Sequence, residues 1–425
     1  MTAVIDSGLD SPARFGAAAG LTCRECDATY DLGADHVCAD CFGPLEIAYS
    51  FGAVSRASIE AGPQTMWRYA DLLPVRPLVD LQVGMTRLVR ADNLARALGM
   101  RRLWVKDDSG NPTHSFKDRV VAVAASAART LGFEVLACAS TGNLAGAVAA
   151  AAAKGGMRSV VLIPADLEPA KVTMAAVYGG TLVAVEGSYD DVNRLCSELV
   201  GELPWAFVNT NVRPFYAEGS KTVGYEIAEQ LGWRLPDQVV CPVASGSLLT
   251  KVDKAWREMS QLGLVEGSPY RVFGAQSDGC APVATAFAAG WDVVRPVRPS
   301  GIAKSLAIGN PADGPYALDA VRRTGGAIAA VSDAEAIDGM RLLAHTEGIF
   351  AETAGGVVVA TLRRLLAGGV LDPDAETVLL NTGDGLKTLD AIADVARPTT
   401  TIAASYDAFV AAGLAGWVSP TRNEL

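Results

Sequence analysis

The sequence predicts an α/β protein with two open αβ domains of mostly parallel strands, preceded by a small cysteine-bearing segment. Short apolar runs typical of buried strands recur along the chain, and helix-length stretches lie between many of them. These runs are too many for one modest sheet, so two sheets are the simplest arrangement. Four clustered cysteines near the N-terminus predict the additional segment.

Composition limits the classes of partner. The chain has 425 residues, half of them hydrophobic, which is enough for two domains with large cores. Its net charge of −11, without a basic run, argues against nucleic acid as a partner. No apolar stretch approaches the roughly 18–20 residues of a membrane span. Residues 1–20 lack the pattern of a secretory signal, so we expect a cytoplasmic protein without a membrane partner.

The first element is the cysteine segment, residues 21–50. It contains two Cys-x2-Cys pairs separated by eleven residues, formed by Cys23, Cys26, Cys38 and Cys41. This spacing predicts a zinc ribbon, in which four thiolates surround one structural zinc ion. Free cysteines or disulfides are the alternative. Arg24 is the one cation within the pairs, so a structural role is favoured over nucleic-acid binding.

The body of the chain alternates between predicted strands and predicted helices, which is typical of βαβ units. A loop and a short helix starting at Ser405 are expected after Pro398. The predicted helices cover residues 119–130, 144–154, 168–178 and 218–230. The predicted strands cover residues 103–105, 135–139, 160–163, 182–185, 207–208, 239–243, 272–275 and 378–380.

The stretch KDDSGNPTHSFKDR, residues 106–119, follows the first of these strands. Asn111 precedes a proline and is therefore pushed out of the helical region. Thr113 and Ser115 are natural N-cap residues, so Lys117 is expected at the start of a helix. The helix dipole disfavours a cation there and favours a neutral amine. On spacing alone, an ordinary surface lysine is the alternative.

Three further turns follow predicted strands and are rich in Gly, Ser, Thr and Asn: residues 140–143, 244–247 and 381–385. In open α/β sheets, ligands bind beyond the carboxyl ends of the strands. Small residues there let backbone N–H groups approach an anion at a helix N-terminus. Each turn taken alone could be a simple helix cap.

These residues resemble a known family. The stretch PTHSFKDR is similar to the lysine motif of the threonine synthase family, fold-type II enzymes that use pyridoxal 5′-phosphate. Further similar motifs follow in the family's order, and together they cover residues 20–395; the cysteine segment resembles the leader of one branch. These motifs are STGNLAGAVAA, AEGSKTVGYEIAEQLG, VASGSLLTK, GIFAETAGG and NTGDGLKTLDA.

The resemblance implies an architecture and an assembly. It implies a large cofactor domain built from residues 51–120 and 211–397, and a small αβ domain formed by residues 121–210. A tail would occupy residues 398–425. Enzymes of this fold are commonly dimers, so a homodimer is expected.

The resemblance also implies a role for individual residues. Lys117 would hold the cofactor covalently and then transfer protons, and Thr382 would place a neutral hydroxyl near the pyridine nitrogen. The remaining cofactor contacts would come from Phe116, Asn143, Ala244, Ser245, Gly246, Ser247 and Leu248. The substrate would be bound by Ser140, Thr141 and Gly142 at its carboxylate, and by Lys106 or Arg213 at its phosphate.

The implied reaction converts O-phospho-L-homoserine into L-threonine by loss of phosphate from the γ carbon and addition of water at the β carbon. The sequence departs from the family pattern at His114, where glycine is usual, and at residues 213–216. These departures leave open a related β- or γ-replacement enzyme, such as a cysteate synthase-like one. A zinc-ribbon protein with a binding function is the more distant alternative.

Overall fold

The computed structural model describes residues 15–140 and 142–413. Its first element is a three-stranded antiparallel sheet within the cysteine segment, with strand order β2-β1-β3. The two Cys-x2-Cys pairs lie at its turns, and their backbone folds back through hydrogen bonds such as Cys38 N–H to Gly43 O at 2.8 Å. The strands are β1 (Ala18–Cys23), β2 (Thr29–Tyr30) and β3 (Leu45–Tyr49).

The chain then begins a larger sheet. Strand β5 extends the predicted run 103–105, and α3 starts at Lys117 as expected. Strand β4 was not predicted; it is an edge strand, antiparallel to β5, with arginines at both ends. The elements are α1 (Arg56–Glu60), β4 (Arg87–Arg90), α2 (Asp92–Leu98), β5 (Arg102–Asp107) and α3 (Lys117–Thr130).

The next part of the chain forms a four-stranded parallel sheet with strand order β8-β7-β6-β9. Its alanine-rich helices pack closely because small side chains let helices approach strands and each other. The elements are β6 (Val135–Ala139), α4 (Asn143–Gly155), β7 (Arg158–Pro164), α5 (Pro169–Ala176), β8 (Thr181–Val185), α6 (Tyr189–Leu199) and β9 (Ala206–Phe207).

The chain then returns to the larger sheet, whose strand order is β12-β11-β10-β13-β5-β4. All neighbours except β4 and β5 are parallel, and β10 and β13 are buried along their whole length, as expected for a sheet covered on both faces. The elements are α7 (Arg213–Glu218), α8 (Lys221–Gln230), β10 (Gln238–Pro242), α9 (Ser247–Gln261), β11 (Arg271–Ser277), α10 (Pro282–Ala288), α11 (Gly314–Arg323), β12 (Ile328–Val331), α12 (Asp333–Glu347), α13 (Thr353–Ala367) and β13 (Glu376–Asn381).

The predicted helix 218–230 starts too early, because α7 ends at Glu218 and α8 begins only at Lys221. Between them lies Gly219, which packs so closely on α3 that a Cβ would lie 2.5 Å from the Arg119 carbonyl oxygen. The chain tightens there, with the Ser220 N–H donating to Ala217 O at 3.1 Å. Glycine therefore allows α7 to lie against the helix that carries Lys117.

The predicted fold class is confirmed: two αβ sheets, mostly parallel, follow a small antiparallel segment. The strands of the larger sheet come from the parts of the sequence before and after those of the smaller sheet. The predicted domain boundaries stay a prediction. Residues 389–413 belong to a separate compact unit that contains α14 (Tyr406–Ala411); the helix was expected to start at Ser405, which is its N-cap. Within the described ranges, the search for a helix long and apolar enough to cross a membrane found none.

Candidate active site

A cavity of about 640 Å³ of empty volume, part of it open to solvent, lies where four strands of the two sheets end. The loops after β5, β6, β10 and β13 supply most of its wall, as expected for ligand sites in open α/β sheets. Nine of the residues singled out in the sequence line it: Phe116, Lys117, Asn143, Ala244, Ser245, Gly246, Ser247, Leu248 and Thr382.

Lys117 is the first residue of α3, and its amine faces this cavity. Desolvation by the surrounding protein lowers the pKa of Lys117 to about 8, although the Glu352 carboxylate opposes the shift. The amine lies 4.5 Å from the ring centroid of Phe116 and 5.9 Å from that of Tyr216. A substantial neutral fraction near neutral pH makes this amine a nucleophile and a base.

The start of α3 differs from the expected cap. Phe116 occupies the N-cap position without a side-chain bond, so neither Thr113 nor Ser115 caps the helix as predicted. Instead, Thr113 donates its backbone N–H and its hydroxyl to the Asp118 carboxylate, both at 2.7 Å. His114 is exposed with a φ of 60°, a left-handed conformation that favours glycine, which explains why the related motif usually has glycine there.

The turn between β10 and α9 forms an anion cradle. Gly246 has a φ of 94°, and a Cβ there would lie 2.7 Å from the Asp313 carbonyl oxygen. The Asp313 N–H in turn donates to Ser245 O at 2.8 Å, which fixes the turn. The first N–H groups of α9 have no partners within the helix, and the helix dipole favours negative charge at this end.

Asn143, Glu352 and Lys387 form a buried polar network beside the lysine cavity. Asn143 donates its amide to both oxygens of Glu352, at 3.0 and 2.9 Å. Lys387 donates to the Asn143 side-chain oxygen at 3.1 Å, which orients the amide. Glu352 and Lys387 were not singled out from the sequence, although both lie inside motifs that carried the resemblance, GIFAETAGG and NTGDGLKTLDA.

The residues present fit the expected cofactor. The cavity combines a weakly basic amine, a helix N-terminus suited to a phosphate, and the Thr382 hydroxyl on the neighbouring loop after β13. Its wall also contains the hydroxyls of Ser220 and Ser305, which are buried and have no hydrogen-bond partner among the described residues. Buried polar atoms of this kind are normally satisfied, so they indicate a polar ligand.

A second cleft adjoins the cavity, and Lys117, Ser140 and Arg213 all line it. Ser140 accepts the N–H groups of Gly142 at 3.0 Å and Ala145 at 2.8 Å, so its hydroxyl orients the start of α4. Gly142 has a φ of 124°, and a Cβ there would collide with the side chain of Lys171. Thr141 lies outside the described residues.

Two ionisable side chains from distant parts of the sequence, Arg213 and His36, line this cleft. The Arg213 guanidinium lies 2.7 Å from the Asp313 carboxylate, which raises the pKa of Arg213. His36 of the cysteine segment also lines the cleft; burial and the charge of Arg213 lower the pKa of this imidazole. Neither Asp313 nor His36 was identified from the sequence, and no local pattern marks them.

Lys106 does not reach the site, so its prediction as a phosphate ligand is corrected. Its amine donates to Glu226 at 2.6 Å, to Gln230 at 2.9 Å and to Thr86 O at 2.8 Å. Arg119 pairs with the same glutamate, and against the effect of burial the two cations lower the pKa of Glu226 to about 2. Lys106 therefore stabilises the interior with a fully paired charge.

The four cysteines of the cysteine segment come together as the spacing predicts. Their Sγ atoms all lie within 4.8 Å of one another, with separations of 3.4 Å between Cys23 and Cys41 and 3.6 Å between Cys26 and Cys38. Backbone N–H groups point at Cys23 and Cys38 from 3.4 Å, as they do around thiolate ligands. This donor set fits a tetrahedral zinc ion.

Comparisons with known proteins agree with this geometry. The family model for pyridoxal-phosphate dependent enzymes matches residues 79–383. Threonine synthase from Methanocaldococcus jannaschii is 37% identical over 87% of this chain and 93% of its own length. Threonine synthase from Methanosarcina acetivorans is 36% identical over 91% of this chain and 97% of its own length.

Solved structures share the fold at lower identity. Diaminopropionate ammonia lyase from Escherichia coli superposes with a TM-score of 0.64 and 19% identity, covering 81% of this chain and 93% of that one. O-ureido-L-serine synthase superposes with a TM-score of 0.60 and 23% identity, covering 77% of this chain and 96% of that one. At these identities, the likeness extends to the fold alone.

Proposed function

The chain belongs to the pyridoxal-phosphate-dependent enzyme family, and from this premise we propose that it acts as a threonine synthase. The observation that carries the proposal is that relatives named threonine synthase match almost their whole length at 36–37% identity. The expected substrate is O-phospho-L-homoserine, and the products are L-threonine and phosphate. The enzyme would be a lyase that breaks a carbon–oxygen bond.

The cofactor would be held by residues of the lysine cavity. Lys117 would bind it covalently, residues 244–248 would donate backbone N–H groups to its phosphate, and Phe116 would pack on its ring. Asn143 would donate to an oxygen of its ring, and the Thr382 hydroxyl would face its ring nitrogen. When bound, the group withdraws electrons and so stabilises negative charge that develops on carbons next to the substrate nitrogen.

Lys117 would move the protons. An amine with a pKa of about 8 accepts a proton and returns it at comparable cost near neutral pH. Because Lys117 lines both the lysine cavity and the second cleft, it would reach more than one substrate carbon. The rings of Phe116 and Tyr216 beside the amine would limit the water that competes for these protons.

The substrate would lie in the second cleft. Its carboxylate would meet the turn of Ser140, Thr141 and Gly142 at the start of α4, where the helix dipole favours an anion. Its phosphate would meet Arg213, whose planar guanidinium suits phosphate oxygens. Phosphate would leave from the γ carbon, and water would add at the β carbon.

Further properties belong to the same proposal. One zinc ion would bind Cys23, Cys26, Cys38 and Cys41, which supports the short cysteine segment. The working form would be a homodimer in the cytoplasm, acting on a small molecule.

The test begins with the purified holoenzyme. We expect visible absorbance from the lysine-bound cofactor, lost in Lys117→Ala and kept in Lys154→Ala, a change of an exposed lysine on α4. We expect the wild type to release phosphate from O-phospho-L-homoserine and to form threonine in equal amount. Release only from O-phosphoserine with added sulfite would favour a cysteate synthase-like enzyme, and absence of bound cofactor would favour a binding protein.

A further inference from the structure

The cysteine segment forms part of the wall of the substrate cleft. His36, which lies between the two cysteine pairs, lines the cleft together with Arg213 and Lys117. Arg24, which lies within the first Cys-x2-Cys pair, contacts the carboxylate of Asp313, the ion-pair partner of Arg213. Binding a structural metal ion would require neither contact. The contacts therefore indicate a function of the segment beyond metal binding.

Asp313 connects the segment to the cleft. One of its oxygens lies 2.7 Å from the Arg213 guanidinium, and the other lies 3.7 Å from the Arg24 guanidinium. Only about a quarter of each arginine side chain and 8% of the aspartate side chain are exposed. Solvent therefore screens this group of charges less than it would screen surface ion pairs.

The group is held in place on both sides. The Arg24 guanidinium lies 3.5 Å from the ring centroid of Tyr316, and the hydroxyl of that ring donates to Glu25. On the other side, the Asp313 N–H donates to Ser245 O at 2.8 Å, in the anion cradle of the lysine cavity. The cysteine segment, the substrate cleft and the cradle are thus linked by one carboxylate.

Charge balance gives Arg24 its effect. Arg213 and Asp313 alone would be a neutral pair, and a neutral pair attracts a phosphate weakly. Asp190 also lines the cleft and adds a further carboxylate to it. Glu25 is exposed, so water screens its charge. Arg24 therefore offsets part of this negative charge and competes with Arg213 for the Asp313 carboxylate.

We propose that Arg24 is a positioning residue through which the cysteine segment completes the phosphate subsite of the substrate cleft. By sharing the Asp313 carboxylate, it weakens the hold of that carboxylate on Arg213. The remaining N–H donors of Arg213 then bind the substrate phosphate. This inference rests on the proposed function, since it assumes a phosphorylated amino acid as substrate.

The test uses the holoenzyme with inorganic phosphate as the probe. Titration calorimetry at low ionic strength would give the Kd for phosphate in the wild type and in Arg24→Met, Arg24→Lys and Arg158→Met. Arg158 is the matched control, because it is exposed at the amino end of β7, away from the carboxyl ends where the cavity lies. We expect Arg24→Met to raise the Kd for phosphate about threefold to tenfold. Arg24→Lys, which keeps the positive charge, should retain most of the wild-type affinity for phosphate.

Kinetics separate positioning from a general defect. In Arg24→Met we expect KM for the phosphorylated substrate to rise by a similar factor, with kcat and cofactor absorbance unchanged. Tyr316→Leu removes the ring under Arg24 and the hydrogen bond to Glu25 without changing any residue of the cysteine segment, and should raise the phosphate Kd in the same direction. This second variant keeps the test decisive if Arg24→Met disturbs folding of the segment.

The inference and the proposed function fail separately. Phosphate binding needs no turnover, so a wild type that binds no phosphate, or Arg24→Met and Tyr316→Leu variants that match Arg158→Met, would overturn the inference. An Arg24→Lys variant as weak as Arg24→Met would also overturn it, because the charge would then not be responsible. Absence of threonine formation by the wild type would instead overturn the proposed function.

Discussion

Two lysines on either side of the same loop, Lys106 and Lys117, have opposite environments. The Glu226 carboxylate lies 2.6 Å from the Lys106 amine and balances its positive charge inside the protein. Lys117 has the more distant Glu352 as the one charge that shifts its pKa, and desolvation dominates. Desolvation lowers the pKa of both amines, but the Lys106 amine is engaged by Glu226, whereas the Lys117 amine faces the cavity without such a partner.

The first prediction concerns the protonation of Lys117. Only the neutral amine attacks the cofactor, so covalent uptake by the apoprotein should rise with pH and level off above about 8, well below the 10.5 of an ordinary lysine. Glu352→Gln removes the charge that raises this pKa and should move the midpoint to lower pH. Stopped-flow absorbance across pH 6–11 would measure it, and a wild-type midpoint near 10.5 would contradict the desolvation argument.

The second prediction concerns Lys106. Removing one partner of a buried ion pair costs about 3–5 kcal/mol, and here Arg119 still compensates Glu226, so Lys106→Met should lower the free energy of unfolding by about 2–3 kcal/mol. Urea denaturation would measure this, with the exposed Lys154→Met as control. Unchanged stability together with a raised substrate KM would return Lys106 to the substrate site.

At the scale of elements, the turn between β10 and α9 depends on backbone shape more than on side chains. Gly246 combines a left-handed conformation with close contact to the Asp313 backbone, so a Cβ there would displace either the start of α9 or the start of α11. The same turn would hold the cofactor phosphate. Its geometry therefore links the conformation of a single residue to cofactor affinity.

The third prediction is that Gly246→Ala weakens cofactor binding. Strain of about 1–2 kcal/mol in this conformation, together with the clash at 2.7 Å, should raise the cofactor Kd about tenfold or more. Gly263, just after the other end of α9, is the matched control: it has a φ of 69° and open space around it. Fluorescence titration of the apoproteins would compare them, and equal losses in both variants would make the effect one of general stability.

At the scale of the whole molecule, the cysteine segment is too short to bury a hydrophobic core that would keep it folded by itself. It packs against the larger sheet's helices through buried charges: Glu46 of β3 pairs with Lys251 of α9, which also pairs with Glu218 at 2.6 Å. Tyr49 donates to the same Glu218 at 2.7 Å. The segment therefore contributes contacts to the body of the protein as well as a candidate metal site.

The fourth prediction concerns that metal. Protein purified under reducing conditions should contain about one zinc ion per chain, because four thiolates at these distances match its coordination. Cys26→Ser should lose the metal and melt at a lower temperature, whereas Cys280→Ser, a change of a cysteine outside the segment, should keep it. Metal analysis and thermal unfolding would measure both, and metal-free wild type would contradict the zinc proposal.

The sequence by itself determined the fold class, the eight predicted strands, the start of α3 at Lys117 and the turns that follow β6, β10 and β13. These features depend on local patterns, because apolar runs, glycine-rich turns and the break before a proline act within a few residues. The same patterns missed β4 and β12, which are edge strands of only four residues each.

Only the tertiary structure decided which charges meet. The partner of Lys106 lies in α8, the partner of Arg213 at the start of α11, and the carboxylate that holds Asn143 just before α13. Such pairings depend on how the strands are ordered in the sheet, and sequence spacing carries no record of that order. The packing of the cysteine segment beside the substrate cleft follows from the same cause: contacts between distant elements are fixed by the shape of the folded chain.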